Sequence, residues 1–224
     1  MENKGEWMTN FKIPVSVSLP LLKEFVYEAK RRAFAFTDDK TTLPDQTSVY
    51  SYRPFSSEKY PGMIYADMYS GNTIEGGQES VTIDLVLRWR NQYYGGTKAA
   101  FWDLAKSPIS GMISDPIFAQ VGSRFPEVVS CFLKMALMNM TKDFPVRGPL
   151  RFRSEEVDFE GIKVRGEWLY TNTWKGVSLY DNEDPFTSYS GEEKILYNGI
   201  EVYWHAYHGG LIRDKYFPLM VQPK

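Results

Sequence analysis

Two glutamates stand in matching surroundings in the two halves of the chain: Glu79 and Glu193, each two residues after a glycine. Carboxylates brought close together split their pKa values and can act as acid and base, or hold a cation. The structural alternative is that each follows a glycine turn and accepts backbone N–H bonds there. The two histidines, His205 and His208, are three apart on an expected strand. Odd spacing sends them to opposite faces, so they cannot readily share a metal. With no His-x-His and no Cys/His cluster, neither a zinc site nor any other cofactor is expected. His208, beside Gly209-Gly210, is the candidate for chemistry, set against a histidine that merely bonds a backbone carbonyl. Arg53 and Arg147 each precede strands of one half. The planar fork of either could clamp an anion, or pair structurally with Glu79 or Glu193.

These residues support two functions. The first is a non-catalytic binding or sensing module for a small ligand or a protein partner, with Arg53, Tyr65, Tyr93, Arg147 and Tyr207 as ligand contacts. The second is a hydrolase or lyase with Glu79 or Glu193 as base, His208 as acid and an arginine orienting the substrate. No Gly-x-Ser-x-Gly frame surrounds Ser110-Gly111 or Ser190-Gly191, and no glycine-rich nucleotide loop is present. Binding is therefore the preferred reading.

Composition narrows the partners. The 224 residues carry 26 basic and 28 acidic side chains, mixed along the chain, for a formal charge of −2. The one basic run, Lys30-Arg31-Arg32, falls at the end of an expected helix, where the dipole favours cations. A nucleic-acid binder gathers basic excess on one face, so no direct nucleic-acid contact is expected. The single cysteine, Cys131, excludes an internal disulfide and sits in an apolar stretch that suits a buried structural thiol. Phe11 to Leu22 is too interrupted for a signal peptide, and no run of about 18 apolar residues exists to span a membrane. A cytoplasmic location follows by default. The 15 Tyr, 14 Phe and 6 Trp suit half-buried sheets and concave binding surfaces alike.

The elements that must position these residues come in the same order twice. Residues 1–18 read as an arm, with a short strand at Ile13–Val17. Leu21, Leu22, Phe25, Val26 and Ala29 recur at helical spacing behind Pro20, through about Ala33. Residues 38–47 read as a loop, then Val49–Arg53 and Met63–Tyr69 as strands, and Val81–Tyr94 as one long extended run. Residues 97–123 resist assignment. A second helix is expected over Phe125–Met140 with Ser123 as its cap. Beyond it lie a hairpin turning at Glu160-Gly161, a polar insertion over 173–190, and a hairpin turning at Asn198-Gly199.

Comparison of the halves brings Gly77–Gly96 onto Gly191–Gly210 at a constant offset of 114 residues without a gap. Five of these twenty positions are identical, against about one expected from residue frequencies. The expected fold is α+β. Internally duplicated helix-plus-antiparallel-sheet units form a curved antiparallel sheet, with helices on one face and a second face where Tyr and Trp line a concavity. The halves are 19–100 and 124–213, joined by a connector at 101–123 and followed by a tail at 214–224.

The residues so assembled resemble a bacterial and archaeal family known only as a domain of unknown function, number 5680. The resemblance rests on Arg53-Pro54, Tyr65-x-Asp67-x-Tyr69-x-Gly71, Gly77-x-Glu79 and Asn91-x-Tyr93-Tyr94-Gly95 in the first half. In the second half it rests on Phe144-Pro145-x-Arg147-Gly148-Pro149, Val164-x-Gly166, Gly191-x-Glu193-x-Ile195, Val202-Tyr203 and His208-Gly209-Gly210. It covers about residues 19 to 213 and implies no assigned chemistry. Its members often look like the C-terminal part of regulators that begin with a helix-turn-helix domain, which suits a sensor or interaction module. This chain is expected to be a stand-alone member without that domain.

Overall fold

Ser18 begins the first helix: its carbonyl accepts from Leu22 N–H at 3.1 Å and its hydroxyl from Leu21 N–H at 3.4 Å. The computed structural model describes residues 17–35, 40–54, 58–71, 74–98, 121–176 and 184–212. Residues 13–16 of the expected strand at Ile13–Val17, and most of the segment 97–123, lie outside them. Helix α1 (Leu19–Ala35) is followed by β1 (Lys40–Thr42), β2 (Ser48–Tyr52), β3 (Met63–Ser70), β4 (Ile74–Ile83) and β5 (Val86–Thr97). Helix α2 (Phe125–Met138) then leads to β6 (Arg151–Phe159), β7 (Ile162–Gly176), β8 (Ser188–Tyr197) and β9 (Ile200–Leu211).

The strands form one open, nine-stranded sheet in the order β1-β2-β3-β4-β5-β9-β8-β7-β6, with every neighbouring pair antiparallel. Two meanders thus meet along β5 and β9. At their junction Tyr93 stands directly opposite Tyr207. Both four-residue turns within the β4–β5 and β8–β9 hairpins centre on a left-handed pair, Asp84-Leu85 and Asn198-Gly199. The register also slips at matching places, between Val81 and Thr82 and between Ile195 and Leu196. The turn at Glu160-Gly161 is the third such pair, and it matches the expected hairpin.

Several expected boundaries shift. Val81–Tyr94 is not one strand but two, broken at Asp84-Leu85, where neither residue is a glycine to announce the turn. The loop 38–47 contains the short edge strand β1. The insertion 173–190 is largely strand at both ends, since β7 runs to Gly176 and β8 starts at Ser188, after a 3₁₀ turn at Pro185–Thr187. Ser123 does not cap α2; it lies in a 3₁₀ turn, Gly122–Arg124, that leads into it.

Strand alternation sorts side chains onto two faces. Met63, Tyr65, Val81 and Trp89 share a face with Trp168, Tyr170, Ile195 and Tyr203, and both helices pack on it. Leu22, Phe25, Val26 and Ala29 of α1 join the first set in one buried cluster. Val128, Val129, Phe132 and Ala136 of α2 join the second set in another. Aromatic packing fixes α2: the Trp168 ring lies 5.9 Å from Phe125, 5.2 Å from Phe132 and 4.5 Å from Tyr197. The half-buried Cys131 thiol packs against this cluster, and burial pushes its pKa up. Among the described residues no helix is long and apolar enough to cross a membrane.

Two glycines set how closely the central strands carry their rings. Gly77 and Gly191 lie in mid-strand under the Tyr93 and Tyr207 rings. A Cβ at either would sit 2.5 Å from the ring's Cζ and Oη, and 2.6 or 2.7 Å from the carbonyl oxygen of Met68 or Thr173. Gly77→Ala and Gly191→Ala are therefore each expected to lower unfolding free energy by about 1–3 kcal/mol through overpacking, measured by urea denaturation.

Candidate functional site

Beneath the helices, between the two apolar clusters, runs a band of buried polar side chains. Glu79 on β4 and Glu193 on β8 are its anchors, and both are fully buried. Each lies in mid-strand, so the expectation of a glutamate capped by turn amides does not hold. Their partners are side chains instead. Glu79 pairs with Lys30 Nζ of α1 at 2.6 Å, accepts from Tyr65 Oη at 2.9 Å, and accepts from Asn91 Nδ2 at 2.8 Å. Lys30 also donates to the Val146 carbonyl, which ties α1 to the loop after α2.

Glu193 is held by the same kinds of group. The Arg147 guanidinium pairs with it, donating through Nε at 3.0 Å and through a terminal nitrogen. Tyr170 Oη donates to it at 2.6 Å, and His205 Nδ1 lies 3.2 Å away. His205, at the position on β9 that answers to Asn91 on β5, is fully buried between the rings of Tyr203 and Tyr93, with centroids 5.9 and 5.2 Å away. The correspondence extends to the central tyrosines: Tyr93 Oη donates to Asp67 Oδ1 at 2.7 Å, and Tyr207 Oη donates to Asn172 Oδ1 at 2.7 Å.

Electrostatics follow from these contacts. Burial alone would raise Glu79, but Lys30 and Arg147 outweigh it and hold the carboxyl below its usual range. At Glu193 burial is likewise overcome, by Arg147 and His205, and the pKa falls well below the usual range. Burial opposes the charge on Arg147, yet Glu193 raises its pKa further above the ordinary value. Asp67 has no cation of its own. Burial and the charge on Glu79 push it up to about 7. Among the described residues no group of three or more His, Cys, Asp or Glu side chains gathers where a metal ion could sit.

The face of the sheet opposite α1 and α2 carries a different surface. There β5, β9, β8 and β7 contribute Gln92, Tyr94, Ala206, His208, Ser190, Glu192, Thr173 and Lys175. Ala206 and Ser190 are short, so a groove of about 780 Å³ opens between the longer side chains, over the strand backbone at Gly77 and Gly191. Tyr94 stands at one wall, 59% exposed, and His208 bonds Gln92 at 3.1 Å beside it. A second hollow of about 480 Å³ lies on the other side of Tyr94, bounded by Trp204, Lys98 and Lys194.

The candidate residues therefore divide between two faces. Glu79, Glu193, Arg147 and Tyr65 are joined in the buried band. Tyr93 and Tyr207 bridge the two environments: their hydroxyls belong to the band, and they form part of the groove floor. His208 lies on the groove side, so neither Glu79 nor Glu193 meets it as an acid–base pair. Arg53 is remote from both; it is exposed between β2 and β3, beside a hollow of about 300 Å³ with Tyr60 and Asp84. The expected concavity of Tyr and Trp is mostly inverted, because alternation sends Tyr65, Tyr93, Tyr170 and Tyr207 under the helices and leaves Tyr94 and Trp204 outside. Sequence reasoning missed Lys30, Asp67, Asn91, Asn172 and His205. For Asn91 and His205 a signal existed, since the 114-residue offset that pairs the two glutamates also pairs them.

The family model described as "Domain of unknown function (DUF5680)" matches residues 67–212. The chain belongs to this family. No curated protein and no solved structure matches it. The DUF5680 span is narrower than the 19–213 suggested by the motifs. It opens at Asp67 within β3 and closes just beyond β9, so it holds both glutamates, Arg147 and the whole groove. Lys30 and Tyr65, which complete the Glu79 side, stand outside it.

Two measurements test this account of the band. Glu193→Gln leaves the buried Arg147 charge without its counterion and is expected to cost about 3–5 kcal/mol of stability, seen as a lower midpoint in urea. Asp67 is the reverse case to an ordinary ion-paired carboxylate. Its folded pKa is above the unfolded value of about 3.9, so the native state binds the extra proton. Its contribution is full below pH 4 and is lost as pH rises to about 7. Asp67→Asn, which copies the amide found at Asn172, is expected to remove that decline from the stability-versus-pH curve while leaving the fold intact.

Proposed function

We propose that this chain is a non-catalytic binding module that takes a small ligand in the groove on the sheet face opposite α1 and α2, and that its sheet descends from duplication of one helix-plus-hairpin unit. The observation that carries the reading is the groove itself: about 780 Å³, within the size range of small-molecule sites, with small residues at its floor and an exposed tyrosine at its wall. An exposed aromatic wall beside hydrogen-bonding groups is the combination that binds an amphipathic molecule. The Tyr93–Tyr207 pairing, the matching turns and slips, and the parallel bonding of Glu79 and Glu193 support the duplication.

The hydrolase or lyase alternative has less behind it. Both glutamates are saturated by cations and hydroxyls under the helices, and His208 is on the other side of the sheet. In this reading the buried band is a scaffold that holds the two meanders in register beneath a rigid binding surface.

A thermal-shift screen against metabolites tests it, since a ligand bound by the folded state raises the melting temperature by mass action. Tyr94→Ala and His208→Ala lie at the surface and are expected to change the unliganded melting temperature little. Each is expected to lose most of the ligand-induced shift. A shift that survives both substitutions would locate the ligand elsewhere, and a flat screen would point to a protein partner, to be sought by pull-down.

A further inference from the structure

The groove also has a direction. On its floor the register runs from Tyr94 of β5 to Ala206 of β9, to Glu192 of β8, to Thr173 of β7. Three strand spacings of about 4.8 Å separate Tyr94 from Thr173, so the groove crosses about 14 Å of sheet. One end is aromatic and apolar, with Tyr94 over Ala206. The other end holds Lys175, two residues beyond Thr173 on the same face of β7.

Charge distinguishes the ends further. Two charged side chains line the groove, Glu192 and Lys175. Glu192 is already engaged, accepting from Trp204 Nε1 at 3.1 Å and lying 3.6 Å from Lys194 Nζ. Lys175 is exposed, and no carboxylate among the described residues pairs with it. Lys175 is therefore the cation at that end of the groove free to meet an anion, and the Ser190 hydroxyl stands beside it as a donor.

Resting on the reading of the groove as the ligand site, we infer that its ligand is an elongated amphipathic monoanion. The apolar body lies from Tyr94 across Ala206, and the anionic head is at Lys175. Straight-chain and arylalkyl carboxylates are the simplest members of this class. A neutral molecule of the same length would keep the apolar contacts and forgo the lysine. A cation would be repelled at that end.

Calorimetric titration of the full chain with decanoate and with 1-decanol, below their aggregation limits, tests the inference on the wild type, Lys175→Ala and Tyr94→Ala. Decanoate is expected to bind the wild type at least tenfold more tightly than decanol. Lys175→Ala should bring the two ligands level, and Tyr94→Ala should weaken both. Equal binding of decanoate and decanol to the wild type, unchanged in Lys175→Ala but weakened in Tyr94→Ala, would overturn the anionic class while leaving the groove as the ligand site. No binding of decanoate to the wild type would also overturn it. Decanoate binding untouched by either substitution would remove the groove reading itself.

Discussion

Burying a carboxylate is tolerable only when its charge is met, and this fold buries two of them at the centre of its covered face. Glu79 and Glu193 stand where apolar side chains would ordinarily fill the space between helix layer and sheet. Each is answered by one cation and one tyrosine hydroxyl. The cations arrive from different elements: Lys30 from α1, Arg147 from the loop after α2. The two pairs therefore fix the helix layer against the sheet at two points. Losing either cation would strand a buried charge, at a cost several times that of a surface ion pair. Such pairs add little net stability over a well-packed apolar core.

The central tyrosines link this band to the other face. Tyr93 and Tyr207 meet at the junction of the meanders, with rings lying over Gly77 and Gly191 and hydroxyls reaching Asp67 and Asn172. The absence of a side chain at the two glycines makes room for the rings on the covered side. On the open side it is the short Ala206 and Ser190 that keep the floor of the groove low. Asp67 and Asn172 mark where the two sides diverge, a carboxyl pushed towards neutrality in one and an amide in the other.

Much of the fold was legible because its signals are local. Helical spacing behind Pro20 located α1, and Met63–Tyr69 was legible as β3. Asn198-Gly199 and Glu160-Gly161 announced their turns through residues that tolerate positive φ. Asp84-Leu85 hid the corresponding turn, because leucine is a poor left-handed residue and the surrounding run is rich in strand formers. The 114-residue offset would have exposed it, since it carries Asn198-Gly199 onto Asp84-Leu85.

The sequence by itself determined the α+β class, the places of both helices, of β2 and β3 and of two hairpin turns, the matching sequence positions of Glu79 and Glu193, and membership of a family without assigned chemistry. These rest on short-range periodicity, turn chemistry and motif order. Only the tertiary structure decided what the glutamates do and where a ligand could lie. Lys30 is 49 residues from Glu79, and Arg147 is 46 from Glu193, so neither pairing leaves any trace in local spacing. Which face the helices cover is likewise invisible along the chain. Alternation states that Tyr93 and Tyr94 point apart, but only the packing of α1 and α2 tells which of them is buried and which meets solvent.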